Sequence, residues 1–441
     1  MELGGIRVMV VGLGVSGSAA ARFLASRGAS LMMTDTRSDL PTTDLPAGEV
    51  YLGSEDPAWL HDADLVVVSP GVPSTSKLLQ AARAARTPVI GELELASRFI
   101  DFPIVAVTGT NGKSTVTTLI GEIGARAGIR TFVGGNLGTP LVEAIGCGYQ
   151  LAVAEVSSYQ LESIKQFKPR VAIHLNLSDD HLDRYHDLED YGRAKARIFQ
   201  NQDGGDWAIL NREDPLVWRL NTQVRSKVLS FGLRKPGPLA DAAIWDDDGL
   251  RYRLGRINGT ISLERFRLPG RFNRTNAMAA AGAALALNVA PGLIERSLAE
   301  FRGLPHRLEF VKEKDGVAFV DDSKGTNVGA VVQALAAVGP RVVLIAGGVD
   351  KGGSYAALRE PLRQKVRVLL LYGAAREMMR AALNGTTRVE CVQTLDQAVT
   401  RAAAAAMPGD TVLLSPACAS FDQFKNYAER GRAFQELVRA L

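Results

Sequence analysis

Between residues 6 and 35 the chain runs IRVMVVGLG, then VSGSAAARFLASRG, then SLMMTDT. An apolar run of strand length gives way to an Ala-rich stretch with helical spacing, and a second apolar run follows. Gly28 stands where such a helix closes. Strand–helix–strand alternation of this kind predicts a parallel sheet covered by helices, and so an α/β fold. DLVVVSPG extends the same series. A second series begins at IVAVTGT and continues through LAVAEVS, VAIHLNLS and WAILNRED. A third comprises GVAFVDDS, RVVLIAGG, RVLLLYG and DTVLLSPA. Only from roughly 228 to 268 does the pattern change: KVLSFG, AAIWDDDGLRYRLG and GTISLERFRLPG read as short antiparallel strands joined by Asp/Gly turns. NRTNAMAAAGAALAL then returns to helix.

Three series in a chain of 441 residues imply three α/β domains, with boundaries expected near 97 and 303. The expected domains are 1–97, 98–302 and 303–441, the middle one carrying a small antiparallel insert. With 46% hydrophobic and 22% charged residues the composition is that of a soluble globular protein. A net charge of +4, without a run of five basic residues, does not suggest a nucleic-acid binder. Cys147, Cys391 and Cys418 are far apart and odd in number, which argues against a disulfide framework or zinc cluster and fits a reducing compartment. The N-terminal apolar run has no basic residues before it and is broken by glycines, so it reads as a strand and not as a signal peptide. No apolar stretch reaches the length needed to span a bilayer, and a cytoplasmic location without membrane insertion is expected.

VTGTNGKST (Val107 to Thr115) fails the usual phosphate-loop template, G-x-x-x-x-G-K-[ST], because position 107 is Val and the nearest glycine, Gly109, comes two residues late. Its context is nevertheless that of a phosphate cradle. A strand precedes it and a helix, STVTTLIGEIGARAG, follows, so backbone N–H groups at a helix N-terminus face the loop. Gly109 and Gly112 let the backbone approach phosphate oxygens, Lys113 can reach the outer phosphates and the Ser114 hydroxyl can ligate Mg²⁺. Glu155 ends a neighbouring apolar strand and can face that loop. Asp179, Asp180, His181, Asp183 and His186 cluster after another strand, a pattern that taken alone is a solvated turn; Lys195, in a helical stretch, would ordinarily lie on the surface. In the first domain Gly12-x-Gly14-x-x-Gly17 follows a strand, and Asp35 ends the next one. Read alone this is the fingerprint of an NAD-binding dehydrogenase, although the same turn can take any diphosphate.

Together these residues resemble the Mur ligase family, ATP-dependent amide-forming enzymes of peptidoglycan precursor synthesis. The resemblance implies an α/β fold with a Rossmann-like N-terminal domain, a central P-loop ATPase-like domain and a Rossmann-like C-terminal domain. Gly109, Thr110, Asn111, Gly112, Lys113 and Ser114, with Thr115 following, match the family's ATP loop. Glu155 and His181 match positions that help hold magnesium, and Lys195 matches a lysine carbamylated in relatives. The implied catalytic set is Lys113, Glu155, His181 and Lys195, with Ser114, Glu155, His181 and carbamylated Lys195 holding two Mg²⁺ ions. Asn273 and Asn276 stand in a motif resembling the one that contacts the nucleotide base, where Phe272 replaces a histidine common in relatives. Arg307, Asp322 and Lys324 match residues that reach ATP from the third domain.

DDSKGTN, GGVDKGGSY and SPACASFDQFKNYAERG resemble the branch of the family that adds D-glutamate to UDP-N-acetylmuramoyl-L-alanine, and no D-N-P-R motif of other branches is present. By that resemblance Lys351, Ser420 and Phe421 face the D-glutamate carboxylates, with Thr326 and Tyr427 close by. Val15, Ser16, Asp35, Thr36, Arg37, Ser69, Pro70 and Gly71 would line the UDP site, and Asn136 and Ser157 would contact the substrate from the middle domain. The implied partners are small molecules only, acting on a monomer. An NAD-linked dehydrogenase, a non-catalytic nucleotide-dependent binding protein, and ligases adding other amino acids or acting on folate remain alternatives at this point.

Overall fold

The computed structural model describes residues 1–441 apart from 181–183, 238–239 and 353. Its strands form three sheets that follow one another along the chain. The first contains β1 (Arg7–Val11), β2 (Ser30–Asp35), β3 (Glu49–Leu52), β4 (Leu65–Val68) and β5 (Val89–Gly91) in the order β3-β2-β1-β4-β5, all parallel. The order reverses direction between β1 and β4, so the loops leaving their C-terminal ends part and open a crevice.

The second sheet has nine strands: β6 (Ile104–Thr108), β7 (Thr131–Gly135), β8 (Leu151–Glu155), β9 (Val171–His174), β10 (Trp207–Asn211), β11 (Lys227–Gly232), β12 (Ala242–Asp246), β13 (Leu250–Leu254) and β14 (Ile257–Ile261). They lie in the order β14-β13-β12-β11-β10-β9-β6-β8-β7. KVLSFG is not antiparallel: as β11 it pairs in parallel with both β10 and β12. Helical turns at Pro215–Trp218 and Arg219–Thr222 carry the chain back between β10 and β11, and such a crossover fixes a parallel partner whatever the strand's own composition. Among the described residues of this sheet only the β12–β13 and β13–β14 pairs are antiparallel, and these strands prolong the main sheet instead of forming a separate layer.

The third sheet contains β15 (Glu309–Lys314), β16 (Val317–Asp321), β17 (Val342–Gly347), β18 (Val366–Tyr372), β19 (Arg388–Cys391) and β20 (Thr411–Leu414), ordered β15-β16-β20-β17-β18-β19. It is parallel except for the edge strand β15.

Central strands of each sheet are buried on both faces, which is why they read as continuous apolar runs. In the second sheet Val105, Val107 and Ile173 pack on the helices Lys113–Arg126 and Arg271–Ala286. Ala106, Ala154 and Ala172 pack on the opposite face, with Leu161, Tyr191 and Phe199. Among the described residues no helix is long and apolar enough to cross a membrane.

Candidate active site

The crevice of the first sheet is a cleft of about 460 Å³. Val15, Ser16, Asp35, Thr36, Arg37, Ser69, Pro70, Gly71 and Asn136 all line it. The three glycines of its first turn do different jobs. A Cβ on Gly12, where φ is +85°, would meet Val72 at 2.7 Å, and one on Gly17 would meet the Gly12 carbonyl oxygen at 1.8 Å, so both are demanded by packing. A Cβ on Gly14 would meet nothing within 4 Å, and that open space above the N-terminus of the helix Val15–Ser26 is where a diphosphate can approach.

Asp35 is 8% exposed and both of its oxygens are engaged. Oδ2 accepts from the Leu13 N–H at 2.7 Å and from Arg37 Nη2 at 2.8 Å, and Oδ1 accepts from Arg37 N at 3.0 Å and Nε at 2.9 Å. The hydrogen bonds from Arg37, opposed by burial, hold this carboxyl well below the usual range. An acid committed in this way organises the turn, and Arg37 gives the cleft its cation. Ser157 lies outside the lining: its hydroxyl caps the helix Ser158–Leu161, accepting from Gln160 N at 3.2 Å.

The phosphate loop leaves β6 beside the ends of β8 and β9. Gly109 and Gly112 have φ of +146° and +89°. A Cβ at Gly112 would lie 2.5 Å from Asn276 Oδ1, so nothing larger fits against that asparagine. The loop is pinned by Asn176, which ordinary motif reading passes over. Its carbonyl accepts from Thr110 N at 2.9 Å, its Oδ1 accepts from Asn111 N at 2.8 Å, and its Nδ2 donates to the Asn111 carbonyl at 2.9 Å. The only local signal was a polar residue just past a strand end. Lys113 folds back over the loop, donating to the carbonyls of Gly109 and Thr110, each at 2.9 Å.

Ser114, in the first turn of the following helix, donates to Glu155 Oε2 at 2.6 Å. Asn136 Nδ2, from the cleft of the first sheet, donates to Glu155 Oε1 at 2.8 Å. Burial would raise the Glu155 carboxyl, but Lys113, Ser114, Asn136 and Lys324 outweigh it and keep the group below its ordinary value. Lys324 reaches in from the third domain and donates to Ser114 Oγ at 2.8 Å while its ammonium stands 5.2 Å above the Tyr427 ring. Burial, then the nearby Arg307, lower its amine to about 8. Asn327 adds a second bridge, donating to Asp180 Oδ2 at 3.1 Å and Asn111 Oδ1 at 3.3 Å.

Lys195 overturns its bland reading as a surface lysine. It is 1% exposed, donates to the Gly109 carbonyl at 3.0 Å and lies 4.4 Å above the Tyr191 ring. Burial, then Lys113, push its amine well below the ordinary lysine value. His181 and Asp183 lie outside the described residues.

Between the second and third domains Thr115, Asn273 and Arg307 line a cavity of about 400 Å³ with Pro269, Leu304 and Phe310. Asn273 donates to the Pro269 carbonyl at 2.7 Å, and Asn276 to Asn273 Oδ1 at 3.3 Å. Asp322 is buried beside this cavity's Arg307 and accepts from Ser415 Oγ at 2.7 Å; burial pushes its carboxyl up to about 7. Lys351 donates to Thr326 Oγ1 at 3.2 Å, and both line a recess with Asp179, Asp180 and Asp350. Ser420 is buried at 3% exposure, whereas Phe421, at 73%, is free to cover an occupant.

A glycine-lysine loop at a helix start and a third-domain lysine that meet at one carboxylate, beside an open cleft of the first sheet, are the arrangement of an enzyme built on a P-loop core. Residues 6–91 match the family model of the Mur ligase MurD-like N-terminal domain, 107–284 that of the Mur ligase middle domain, and 306–418 that of the Mur ligase glutamate ligase domain. A UDP-N-acetylmuramoylalanine–D-glutamate ligase of Geotalea daltonii is 46% identical over 450 residues, which span 100% of this chain and 99% of the relative. Its namesake from Geobacter metallireducens is 45% identical over 449 residues, with the same coverage. The chain belongs to the Mur ligase family. Solved structures share its fold: a pseudomurein peptide ligase type C from Methanothermus fervidus at a TM-score of 0.63 with 19% identity, covering 99% of this chain and 100% of that one, and the UDP-N-acetylmuramate–alanine ligase of Thermotoga maritima at 0.60 with 18% identity, covering 99% of each.

Proposed function

We propose that this chain is the ATP-dependent ligase that joins D-glutamate to UDP-N-acetylmuramoyl-L-alanine in peptidoglycan precursor synthesis. One observation carries the reading. A chain of side chains, Asn136–Glu155–Ser114–Lys324, runs from the diphosphate cleft through the phosphate loop to the third domain. On this reading it joins the cleft assigned to the UDP-sugar, the loop assigned to ATP and the domain bearing Lys351, and the full-length relatives named for this activity support the same assignment.

A carboxylate is a poor electrophile, so amide formation needs activation. In the reaction proposed, an oxygen of the L-alanyl carboxylate attacks the γ-phosphorus of ATP, the bond to ADP breaks, and an acyl phosphate forms. The neutral amine of D-glutamate attacks its carbonyl carbon, and the tetrahedral adduct collapses to the amide as phosphate leaves and the nitrogen loses a proton. Lys113, Lys324 and the N–H groups at the start of the helix Lys113–Arg126 stabilise charge on the phosphoryl group in flight. Arg37 and the open space above Gly14 take the substrate's diphosphate. Lys351 and Thr326 bind a D-glutamate carboxylate, with Ser420 and Phe421 covering it. Asn273 and Asn276 flank the nucleotide base.

Ser114 and Glu155 are hard oxygen donors of the kind Mg²⁺ takes, and Lys195 fits a carbamate, because only a neutral amine reacts with CO₂ and burial favours that form. We assign Ser114, Glu155, His181 and carbamylated Lys195 to two Mg²⁺ ions, which supply charge neutralisation for phosphoryl transfer. We divide the chain into domains at 97 and 303, treat the monomer as the catalytic unit because all three sites lie on one chain, and place the reaction in the cytoplasm. The test is phosphate release from ATP with Mg²⁺ and UDP-N-acetylmuramoyl-L-alanine against a panel of amino acids. Turnover is expected with D-glutamate above all others; turnover indifferent to D-glutamate rejects the assignment.

A further inference from the structure

Side chains alternate along β9. Val171 and Ile173 join the core on one face and Ala172 the core on the other, so His174 belongs to the Ala172 face. That face is covered by the helix Leu188–Ala196, which carries both Tyr191 and Lys195 among its buried residues. His174 is 1% exposed, and neither of its ring nitrogens has a hydrogen-bond partner among the described residues. Its neighbour in register on β6 is Thr108, whose side chain points to the same face and whose Oγ1 is equally without a partner. The next residue along, Gly109, supplies the carbonyl that Lys195 Nζ touches at 3.0 Å. A neutral imidazole offers one donor and one acceptor, and burial opposes its protonation.

Buried polar groups are satisfied in native proteins, and two orphaned side chains on the strand face that the Lys195 helix covers mark the place of a missing polar group. We propose that His174, with Thr108, holds the carbamate of Lys195, the imidazole N–H donating to one carbamate oxygen and so leaving the other for the reaction space. The inference rests on the carbamate assigned above. The neutral Lys195 nitrogen forms a bond to the carbon of dissolved CO₂, a C=O pair moves onto oxygen, and the nitrogen's proton leaves to water. The product is an anion with acceptor sites for both orphaned donors. His174 is thus a positioning residue, acting through Lys195.

The test is ¹³C NMR of the full-length protein in ¹³C-bicarbonate, comparing the wild type with Lys195→Ala, His174→Leu and His174→Gln, each checked by its melting midpoint. A carbamate signal is expected in the wild type and absent from Lys195→Ala. At the same bicarbonate concentration the signal should fall at least fivefold in His174→Leu, whose midpoint stays at or above that of the wild type. His174→Gln, which keeps an N–H donor, should retain most of the signal. A wild-type signal unchanged in His174→Leu overturns the role of His174 alone. Equal losses in both variants together with lowered midpoints make the residue a packing element and also overturn it. No signal in the wild type removes the carbamate assignment itself, and the inference with it.

Discussion

Glu92 makes a quantitative case for how the first two domains are joined. It is the first residue of the helix Glu92–Ser97, is 1% exposed, and accepts the Val142 N–H at 2.7 Å across the seam; its other oxygen has no partner among the described residues. Burial, against the pull of the Val142 N–H, raises the carboxyl from 4.5 to about 7, with Glu143 adding to the rise. Below pH 4.5 the group is protonated whether the chain is folded or not. Between 4.5 and 7 the unfolded chain gives up the proton while the folded chain keeps it, so stability is lost as pH rises through this window and stays lost above it. At about 1.36 kcal/mol per pH unit the full effect is roughly 3 kcal/mol. Glu92→Gln keeps the acceptor for Val142 and removes the titration. By scanning calorimetry the variant should match the wild type near pH 4 and melt higher at pH 8, at about 2–4 °C for each kcal/mol in a unit of 150–250 residues. An offset independent of pH, or a gap that opens on the acid side, would refute the reasoning.

Gly112→Ala should weaken ADP binding at least tenfold by calorimetric titration with UDP binding unchanged, because its Cβ would lie 2.5 Å from Asn276 Oδ1. Lys324 is cationic below its value of about 8, so wild-type ADP affinity should decline between pH 7 and 9, and Lys324→Met should bind more weakly at pH 7 without that decline. Arg37→Ala should raise KM for the UDP-linked substrate about tenfold while leaving KM for ATP near its wild-type value, since Arg37 lines the first-sheet cleft and not the cavity of Thr115, Asn273 and Arg307. A chelator should abolish phosphate release, and added Mg²⁺ should restore it.

The parallel strands and the phosphate loop were legible because each is encoded locally: an apolar run buried on both faces, then glycines and a lysine at a helix start. Lys195 was not, because its burial depends on β9 and on the Gly109 carbonyl, 86 positions away. Nor was the direction of β11, which the crossover before it sets. The glycine fingerprint of the first domain shows where local encoding stops. Gly12 and Gly17 specify a tight turn and close helix packing, demands common to every such fold. The choice of ligand lies in what surrounds the turn. An acid binding a ribose diol must offer its oxygens outward, whereas Asp35 spends both on Leu13 and Arg37 and so turns an apparent ribose acceptor into the anchor of a cation. Asn136 then couples that cleft to Glu155 and the phosphate loop. On the function proposed above, that coupling joins the cleft holding the UDP-linked substrate to the loop holding the phosphoryl donor, a link for which a dehydrogenase has no use.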